Sequence, residues 1–415
     1  MNEPILISGA GIAGQTLAHW LARHGFRATL VERAPRLRTG GQGVDVRDQA
    51  IEVAERMGIL PGLRALAADI HGMRFVDGAG ESLASIDLGG IKNKPTSVDL
   101  EGARNTYGNG EIEIMRGDLV EILHAETENE VEYLFGDSIR TLEQTDDGVT
   151  AAFERGPTRR FGLVVGADGL HSTVRRLAFG PESAFLRYQN HYAAFGNADS
   201  ALGEDRWITV HNTPGRMTGI YRSGNHAQAK AYFMFRRRRP PAYDYRDVDQ
   251  HKRLLRAEFA GESSWCVPEL LAGALADPDL YFDTLSQVRM PSWSTGRVVL
   301  VGDAAHCASP VSGAGAELAL VGAYRLAGEL AAADGDHRLA FRRYEESHRE
   351  LVGRKQQIGP NIRLIVPRSP IGIRTRNAVT RLPLQKSMAG MERILRPKNT
   401  TPLTDYDPQH RGRTP

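Results

Sequence analysis

Residues 5–32 read ILISGAGIAGQTLAHWLARHGFRATLVE, and this stretch decides the fold of the chain. An apolar run from Ile5 to Ile7 is followed by a glycine-rich turn, a helical pattern that ends at Gly25, and a second apolar run that ends at Val31. Short apolar runs separated by one helix are typical of parallel strands joined by a crossover helix. The stretch therefore predicts the first strand–helix–strand unit of an α/β fold.

The turn Gly9-Ala10-Gly11-Ile12-Ala13-Gly14 has the spacing of a dinucleotide-binding loop. Gly9 permits the tight turn, Gly11 lets the backbone approach a pyrophosphate, and Gly14 allows the helix to pack closely on the strand. Glu32 follows at the end of the second strand, where a carboxylate accepts ribose hydroxyls and favours FAD or NAD over a cofactor with a 2′-phosphate. The alternative is a glycine-rich turn that binds no nucleotide.

Two further apolar runs end in glycine and aspartate, namely residues 163–169 (LVVGADG) and 298–303 (VVLVGD). Continuous apolar runs of this kind are typical of strands buried inside a parallel sheet. Ligands of open α/β sheets bind at the carboxyl ends of the strands, so we expect Asp168 and Asp303 to face the ligand.

Two helices are predicted outside the opening unit. The first runs from Gln49 to Met57, with Asp48 as its N-cap and Gly58 after its last turn. The second runs from Gly313 to Leu330, and we expect its N-terminus to meet the same ligand, because the positive end of the helix dipole favours negative charge.

Charge and composition argue against several classes of protein. The formal net charge is +2, from 52 basic and 50 acidic residues, so we expect no nucleic-acid partner. No run of about 18 apolar residues is free of glycine and charge, so we expect no membrane partner and a cytoplasmic location. Two cysteines, Cys266 and Cys307, suit a reducing interior and predict no metal site. The patterns HExxH, GxxxxGK[ST] and GxSxG are absent, which argues against metal hydrolysis, P-loop chemistry and an esterase nucleophile.

The chain resembles the single-component FAD-dependent monooxygenases of the p-hydroxybenzoate hydroxylase fold. The resemblance rests on three motifs in this order: Gly9–Gly14 with Glu32, Gly166-Ala167-Asp168-Gly169, and Gly302-Asp303-Ala304-Ala305-His306. Its length and the stretch Met115–Leu119 are similar to the shorter members, which include tetracycline-inactivating and polyketide-tailoring hydroxylases. The resemblance implies an α/β fold with a Rossmann-like FAD-binding domain, an inserted and mostly antiparallel β-sheet substrate domain, and a C-terminal helical segment.

The 415 residues are enough for two domains. We expect the FAD-binding domain to comprise residues 1–72, 101–179 and 287–370, and the substrate domain to comprise residues 73–100 and 180–286. The composition of Trp207–Val210 and Tyr232–Phe235 predicts antiparallel strands, which supports a separate sheet in the second of these blocks. Residues 371–415 are expected to form a C-terminal helix and a poorly ordered tail.

The resemblance also implies the residues that bind FAD. Asp303 is expected at the ribityl chain, Glu32 at the adenosine ribose and Arg38 at the phosphates, while Asp168 is expected to contact both FAD and the nicotinamide donor. The full expected set is Gly9, Gly11, Ile12, Ala13, Gly14, Glu32, Arg33, Arg38, Arg116, Asp168, Gly302, Asp303, Pro310, Gly313, Gly315 and Ala316. Many relatives have glutamine where this chain has Ala314, so any contact from that side chain is absent.

The expected activity follows from the cofactor. The resemblance implies that FAD, reduced by NADPH or NADH, reacts with O₂ and transfers one oxygen atom, through a hydroperoxide at flavin C4a, to an aromatic or polyketide-like small molecule. No side chain is expected to be the catalytic group, because the flavin carries the chemistry. A flavin-dependent reductase or dehydrogenase of an isoprenoid-like substrate, and a non-catalytic FAD-containing redox-sensing binding protein, are the alternatives. The oligomeric state stays open between a monomer and a homodimer.

Residues for the substrate are harder to find in the sequence. Arg216, Tyr232 and Met234 are candidates, and the last two share a parity that points them to one side of a strand. Ordinary sheet packing is the alternative for all three. His306 is a candidate acid or base, although we favour a structural hydrogen bond to the backbone. We expect Cys307 to be a packed thiol.

Overall fold

The computed structural model describes residues 4–38, 40–87, 111–238, 243–357, 361–381 and 402–406. Its strands, numbered along the chain, are β1 (Ile5–Ser8), β2 (Ala28–Glu32), β3 (Gly43–Val46), β4 (Gly72–Val76), β5 (Ser82–Asp87), β6 (Ile112–Met115), β7 (Glu132–Phe135), β8 (Ile139–Gln144), β9 (Val149–Phe153), β10 (Arg159–Phe161), β11 (Leu163–Gly166), β12 (Leu186–Ala198), β13 (Trp207–Thr213), β14 (Arg216–Arg222), β15 (Ala229–Arg236), β16 (Tyr281–Val288), β17 (Ser294–Thr295) and β18 (Val298–Leu300). Its α-helices are α1 (Ile12–Arg23), α2 (Gln49–Met57), α3 (Leu60–Ala65), α4 (Arg116–Ala125), α5 (Thr173–Phe179), α6 (Val248–Glu258), α7 (Val267–Ala276), α8 (Asp303–His306), α9 (Gly315–Ala332), α10 (His337–Lys355), α11 (Asn361–Ile365) and α12 (Pro370–Arg381).

The opening strand β1 lies inside a six-stranded sheet of order β17-β18-β11-β1-β2-β7. Every pair in it is parallel except β17 with β18. All four side chains of β1 are buried, as expected for a strand covered on both faces. The carboxyl ends of β1, β11 and β18 meet at one edge and bring the glycine turn, Asp168 and Asp303 together there. The predicted α/β fold is confirmed.

A second sheet of seven strands has the order β16-β12-β15-β14-β13-β4-β5. Its neighbours are antiparallel except β13 with β4. Both predicted segments, Trp207–Val210 and Tyr232–Phe235, lie in its strands. The expected boundary after residue 286 falls inside β16, which belongs to this sheet. The full division into domains stays a prediction.

The two faces of the seven-stranded sheet carry different side chains, because neighbours along a strand alternate in direction. One face packs against α6 and α7 through an apolar cluster that includes Phe233 and Phe235. The other face, which we call the Tyr232 face, carries Phe195, Met217, Tyr232, Met234 and Tyr281. The Tyr232 face packs against Ile362 and Ile365 of α11 and against Val366.

Of the two helices predicted outside the opening unit, one starts where the sequence predicted and the other starts later. Helix α2 has the predicted bounds, and Gly58 follows it with a left-handed φ of +81°. Asp48 occupies the N-cap position as predicted, but its side chain makes no capping hydrogen bond, and its Oδ2 instead lies 2.9 Å from Lys355 Nζ. The helix predicted from Gly313 begins at Gly315, because a 3₁₀ turn at residues 310–312 and the left-handed Gly313 (φ +60°) precede it.

Residues 402–406 pack against α9, although the sequence predicted a poorly ordered tail. Leu403 and Tyr406 are buried, and the Tyr406 hydroxyl donates to Glu329 Oε1 at 2.6 Å. The Tyr406 ring lies so close to Gly328 that a Cβ at that glycine would be 2.2 Å away. The prediction is therefore wrong for these residues. The rest of the expected tail, 382–401 and 407–415, lies outside the described residues.

Candidate active site

The glycine turn after β1 is fixed by two close backbone contacts. Gly9 has a φ of +106°, and a Cβ there would lie 2.5 Å from the Ala167 carbonyl oxygen. A Cβ at Gly14 would lie 1.9 Å from the Gly9 carbonyl oxygen. Gly11 is different, because a Cβ there would meet no atom closer than Arg116 Nη2 at 3.9 Å. The fold itself thus requires Gly9 and Gly14, whereas Gly11 leaves open space in front of α1.

Glu32 joins this turn to the end of β2. Its Oε2 accepts a hydrogen bond from the Ala10 N–H at 2.9 Å, and its Oε1 accepts one from the Ala34 N–H at 2.8 Å. A carboxylate offers about four acceptor positions, so two of them are left for the hydroxyls of a ribose. The side chain is half-buried and is therefore reachable by a ligand.

Arg116, at the start of α4, interacts electrostatically with both Glu32 and Asp303. Its side chain contacts the position that a Cβ of Gly41 would take, at 3.3 Å. Burial and the nearby Arg38 guanidinium lower the pKa of Arg116, and the charges of Glu32 and Asp303 oppose this shift. The carboxyl edge of the six-stranded sheet therefore combines the cations of Arg38 and Arg116 with the carboxylates of Glu32 and Asp303.

Arg33 interacts with Glu32 and Arg38 of this group and also contacts Tyr245, which precedes α6. Its guanidinium lies 5.4 Å from the centre of the Tyr245 ring. Burial lowers the pKa of Arg33, and Arg38 and Arg246 add to the shift.

Asp303 begins the short helix α8, and its side chain is exposed at the carboxyl end of β18. The preceding Gly302 has a φ of +62°, and a Cβ there would lie 2.8 Å from Ala13 Cβ. Gly302 thus lets α1 pack against this turn, and the contact brings Asp303 alongside the glycine turn of β1.

The N-terminus of α9 completes the edge. The 3₁₀ turn that contains Pro310 ends at Gly313, where a Cβ would meet Asp45 Oδ2 at 2.8 Å. At Gly315 a Cβ would meet nothing within 4 Å, so the first turn of α9 faces open space. Ala316 is buried behind it. Free amides at the start of an 18-residue helix favour a negatively charged ligand.

These residues fit FAD. Gly11 and Gly315 leave space at two helix N-termini, where the pyrophosphate and the flavin would lie. Glu32 and Asp303 would hold the hydroxyls of the ribose and the ribityl chain, and Arg116 offers a cation that interacts with both.

Asp168 has a contact that the sequence did not indicate. Its Oδ2 accepts hydrogen bonds from the N–H groups of Thr173 at 2.8 Å and Val174 at 3.1 Å, and Ser172 Oγ donates to its Oδ1. These are the free amides at the start of α5, so Asp168 stabilises that helix from the preceding turn. The expected contacts of Asp168 with FAD and the nicotinamide donor stay a prediction.

His171, just after this turn, lies in an ion-pair network that sequence analysis missed. Its Nδ1 donates to Glu182 at 3.0 Å and its Nε2 to Asp283 at 3.1 Å, and the ring stacks on Tyr245 with centroids 4.3 Å apart. Burial opposes the charged ring, but the two carboxylates outweigh it and raise the pKa of His171 to about 9. The ring is therefore charged at neutral pH and ties the turn after β11 to β16 of the second sheet.

This pKa predicts that the protein loses stability as the pH rises from neutral to alkaline. The folded-state value of about 9 exceeds the value of roughly 6.5 for an unfolded histidine, so the contribution is complete below about pH 6.5 and is lost as the pH passes the folded value. We expect His171→Asn to lower the free energy of unfolding by about 2–4 kcal/mol near pH 6 and by little near pH 10. Urea unfolding of both proteins checks this; a difference that is the same at both pH values would contradict it.

The substrate candidates separate into two places. The Tyr232 hydroxyl accepts a hydrogen bond from the Gly43 N–H at 3.2 Å, and Met234 lies on the same Tyr232 face. Arg216 lies on the opposite face, where its Nε donates to Glu258 Oε1 at 2.9 Å. The structure therefore brings Tyr232 and Met234 together and does not bring Arg216 to them.

Tyr281 lies on the Tyr232 face and interacts electrostatically with Asp303. Asp303 lies at the carboxyl edge of the six-stranded sheet, which we call the cofactor edge, and sequence analysis did not single out Tyr281. Its ring stacks on Phe195 with centroids 5.3 Å apart. Burial raises the pKa of Tyr281 well above its usual range, and the nearby carboxylates Asp283 and Asp303 add to the shift. The phenol is therefore neutral and lies within electrostatic reach of the residue expected at the ribityl chain.

His306 and Cys307 are structural residues in the core. His306 is buried, and its Nε2 lies 3.3 Å from the Tyr344 hydroxyl, a side-chain partner that the sequence did not indicate. Burial lowers the pKa of His306 to about 3, which keeps the ring neutral. The buried Cys307 thiol donates to the Ser286 carbonyl at 3.5 Å.

Comparisons with known proteins agree with this site. Residues 2–350 match the family described as the FAD binding domain. A flavin-dependent monooxygenase from Legionella longbeachae is 37% identical over 358 residues, which cover 86% of this chain and 88% of the relative. The crystal structure of tetracycline destructase Tet(51) has a TM-score of 0.79 and 32% identity, and the match covers 98% of this chain and 100% of that one.

A second solved structure, tetracycline destructase Tet(55), has a TM-score of 0.76 and 34% identity, with 97% of this chain and 99% of that chain covered. These matches confirm the resemblance found in the sequence and favour it over a reductase or a non-catalytic binding protein. The chain therefore belongs to the FAD-binding-domain family, and it is an FAD-dependent monooxygenase of the p-hydroxybenzoate hydroxylase fold.

Proposed function

We propose that this enzyme inserts one oxygen atom of O₂ into an aromatic or polyketide-like small molecule, with NADPH or NADH as the electron donor. The observation that carries the proposal is that Tyr281 stacks on Phe195 of the Tyr232 face and also interacts electrostatically with Asp303 at the cofactor edge. This face presents flat rings and flexible thioethers, namely Phe195, Tyr232, Met217 and Met234, which suit an apolar ring system. The tetracycline destructases in the comparison are named for a polyketide of that kind.

The protein contributes binding, orientation and a dry environment. When bound, the flavin supplies the redox chemistry with O₂. The N-terminus of α9 stabilises negative charge on a ligand in front of Gly315. The neutral phenols of Tyr232 and Tyr281 and the thioether of Met234 exclude water from the neighbouring space, which limits side reactions.

The electron donor is proposed to dock transiently. In the described part of the chain, one glycine turn of the dinucleotide type is found, after β1. Its neighbours Glu32 and Arg116 are assigned to FAD, so this turn is not proposed as a site for the electron donor. The contact of Asp168 with the donor, the division into two domains, the oligomeric state and the cytoplasmic location also remain proposals.

The test is a turnover assay on the purified holoenzyme with tetracycline and simple phenols as probes. We expect a productive probe to accelerate NADPH or NADH oxidation, to consume O₂ and to give a product that contains one additional oxygen atom. Formation of the same product at the same rate without O₂ would contradict oxygen insertion. A product that differs by two hydrogen atoms would instead support a reductase or dehydrogenase.

The Tyr232 face can be tested separately. We expect Met234→Gln to raise the KM for a productive probe by roughly 10-fold, because a buried amide without partners weakens apolar binding. FAD content measured by absorbance should equal that of the wild type, because Met234 packs in the apolar cluster of the Tyr232 face and makes none of the proposed cofactor contacts. An unchanged KM would show that the substrate binds elsewhere.

A further inference from the structure

Helix α12 exposes large apolar side chains and buries polar ones, unlike an ordinary surface helix. Ile371, Arg374, Thr375, Ala378 and Val379 are exposed and recur at the spacing of a single helix face. Arg376 and Asn377, which lie between Thr375 and Ala378 in the sequence, are buried. Surface helices normally bury their apolar stripe and expose their charged one. The exposed face of α12 is therefore a candidate interaction surface.

Polar contacts hold α12 on the protein and leave its apolar side chains free. Arg376 Nη2 donates to Asn212 Oδ1 at 2.9 Å, and its Nη1 donates to the Leu364 carbonyl at 3.1 Å. The guanidinium also lies 3.7 Å from the centre of the Phe75 ring. These contacts fix the helix against the seven-stranded sheet. The apolar residues on the other side are not needed for that attachment.

The most exposed large apolar side chains of the described residues cluster in this part of the chain. Ile371 is 74% exposed, Leu364 of α11 52% and Val379 49%. Single exposed apolar residues are common on protein surfaces, but three of this size on adjacent helices mark an interaction site.

Arg363, Arg368 and Arg374 are exposed in the same segment as these apolar residues, and among the described residues none of the three pairs with a carboxylate. Residues 351–391 contain no Asp or Glu. Arg236 lies close to Arg238, Arg363 and Arg368, since burial and these three charges lower its pKa. In the described part of the chain, the structure pairs none of these four arginines with a carboxylate. A chain with a net charge of only +2 thus concentrates unbalanced positive charge here.

We propose that this surface, formed by Arg363, Leu364, Arg368, Ile371, Arg374 and Val379, docks on an anionic phospholipid bilayer. We call it the docking face. Arginines bind lipid phosphates as anions, and apolar side chains between them enter the boundary between head groups and acyl chains. The proposal revises the expectation of no membrane partner. None of the described helices is long and apolar enough to span a bilayer, and docking on its surface does not require one.

Other partners fit the docking face less well. A symmetric contact with a second copy would bring the unpaired arginines of both copies together, and like charges repel. An acidic protein would satisfy the arginines, but it gives no reason for an isoleucine that is 74% exposed. A bilayer accounts for both features.

The location adds a functional reason. Helix α11 carries Leu364 on the docking face, while its Ile362 and Ile365 pack into the cluster of the Tyr232 face. Docking would therefore hold the apolar cluster next to the bilayer. A lipophilic substrate would then have a short path from the membrane to the enzyme. This statement about the substrate rests on the proposed function, whereas the docking itself does not.

The experiment is co-sedimentation of the FAD-loaded full chain with vesicles. We expect binding to vesicles of phosphatidylcholine mixed with phosphatidylglycerol, weak binding to phosphatidylcholine alone, and loss of binding at high salt. The double variant Arg363→Gln/Arg368→Gln should lower the partition coefficient roughly 25-fold, about fivefold per arginine. Ile371→Ser should lower it roughly 10-fold.

Matched controls use exposed residues outside the docking face. Arg342→Gln/Arg343→Gln removes the same charge from α10, and Val248→Ser removes a 37% exposed apolar side chain from α6. Both should bind vesicles like the wild type, and unchanged FAD absorbance should show that every variant is folded. Failure to bind anionic vesicles, or an equal loss in the control pair, would overturn the proposal. Wild-type binding by Ile371→Ser would also overturn it and would favour an acidic protein partner.

Discussion

Gly14→Ala is expected to prevent the protein from folding. The added Cβ would lie 1.9 Å from the Gly9 carbonyl oxygen, which is backbone inside the first strand–helix turn and cannot move without displacing α1 or β1. An overlap of this size is expected to cost more than about 4 kcal/mol, the upper range for single substitutions. Native domains are stable by only about 5–15 kcal/mol, so most of the variant should be unfolded or aggregated. Soluble yield and urea unfolding followed by circular dichroism measure the effect.

Gly353→Ala provides the matched control for this prediction. Gly353 lies within α10, and a Cβ there would meet nothing within 4 Å. The same substitution should raise the free energy of unfolding by about 0.5–1 kcal/mol, because alanine has less conformational freedom to lose in a helix. A Gly14→Ala protein that unfolds at the wild-type urea concentration would contradict the packing described for the turn.

Gly11→Asn is expected to leave the fold intact and to weaken FAD binding by roughly 100-fold, about 2.7 kcal/mol. Gly11 has the extended backbone of an N-cap, with φ −81° and ψ −172°, and asparagine is well suited to that position. Its side chain would enter the open space in front of α1, where the backbone must approach the pyrophosphate. The protein should therefore purify colourless, with an apoprotein unfolding midpoint near that of the wild type.

Titration of the two apoproteins with FAD, followed by flavin fluorescence, separates binding from folding. Asp48→Asn is a useful control, because Asp48 pairs with Lys355 and has no part in the proposed cofactor contacts. Its affinity for FAD should stay close to the wild-type value. A Gly11→Asn protein with wild-type affinity would mean that the dinucleotide does not lie against this turn.

The cofactor edge could be predicted because its parts are local. The glycine turn, Glu32 and the Gly302-Asp303 turn each follow a short apolar strand, and parallel strands deliver their carboxyl ends to one edge. The start of the helix after Gly313 was missed by two residues, because a left-handed glycine and a 3₁₀ turn are not visible in an apolar pattern.

Residues whose roles depend on strand register could not be found in this way. Arg216 pairs with Phe235 across the sheet, so it faces α6, whereas Tyr232 and Met234 face the other side. One residue of slip would have reversed that assignment. His171 likewise gains its partners from distant segments, since Asp283 lies 112 residues further along the chain.

The place of β1 in the six-stranded sheet has a consequence for biosynthesis. Ile5–Ser8 pairs on one side with residues 163–166, and those residues pair in turn with β18 near residue 300. A ribosome adds about 5–20 residues per second, so roughly 15–60 s separate the emergence of the first strand from that of the last. During this interval the nascent N-terminal segment exposes an unpaired apolar strand edge, and chaperones that shield such edges should raise the yield of expressed enzyme.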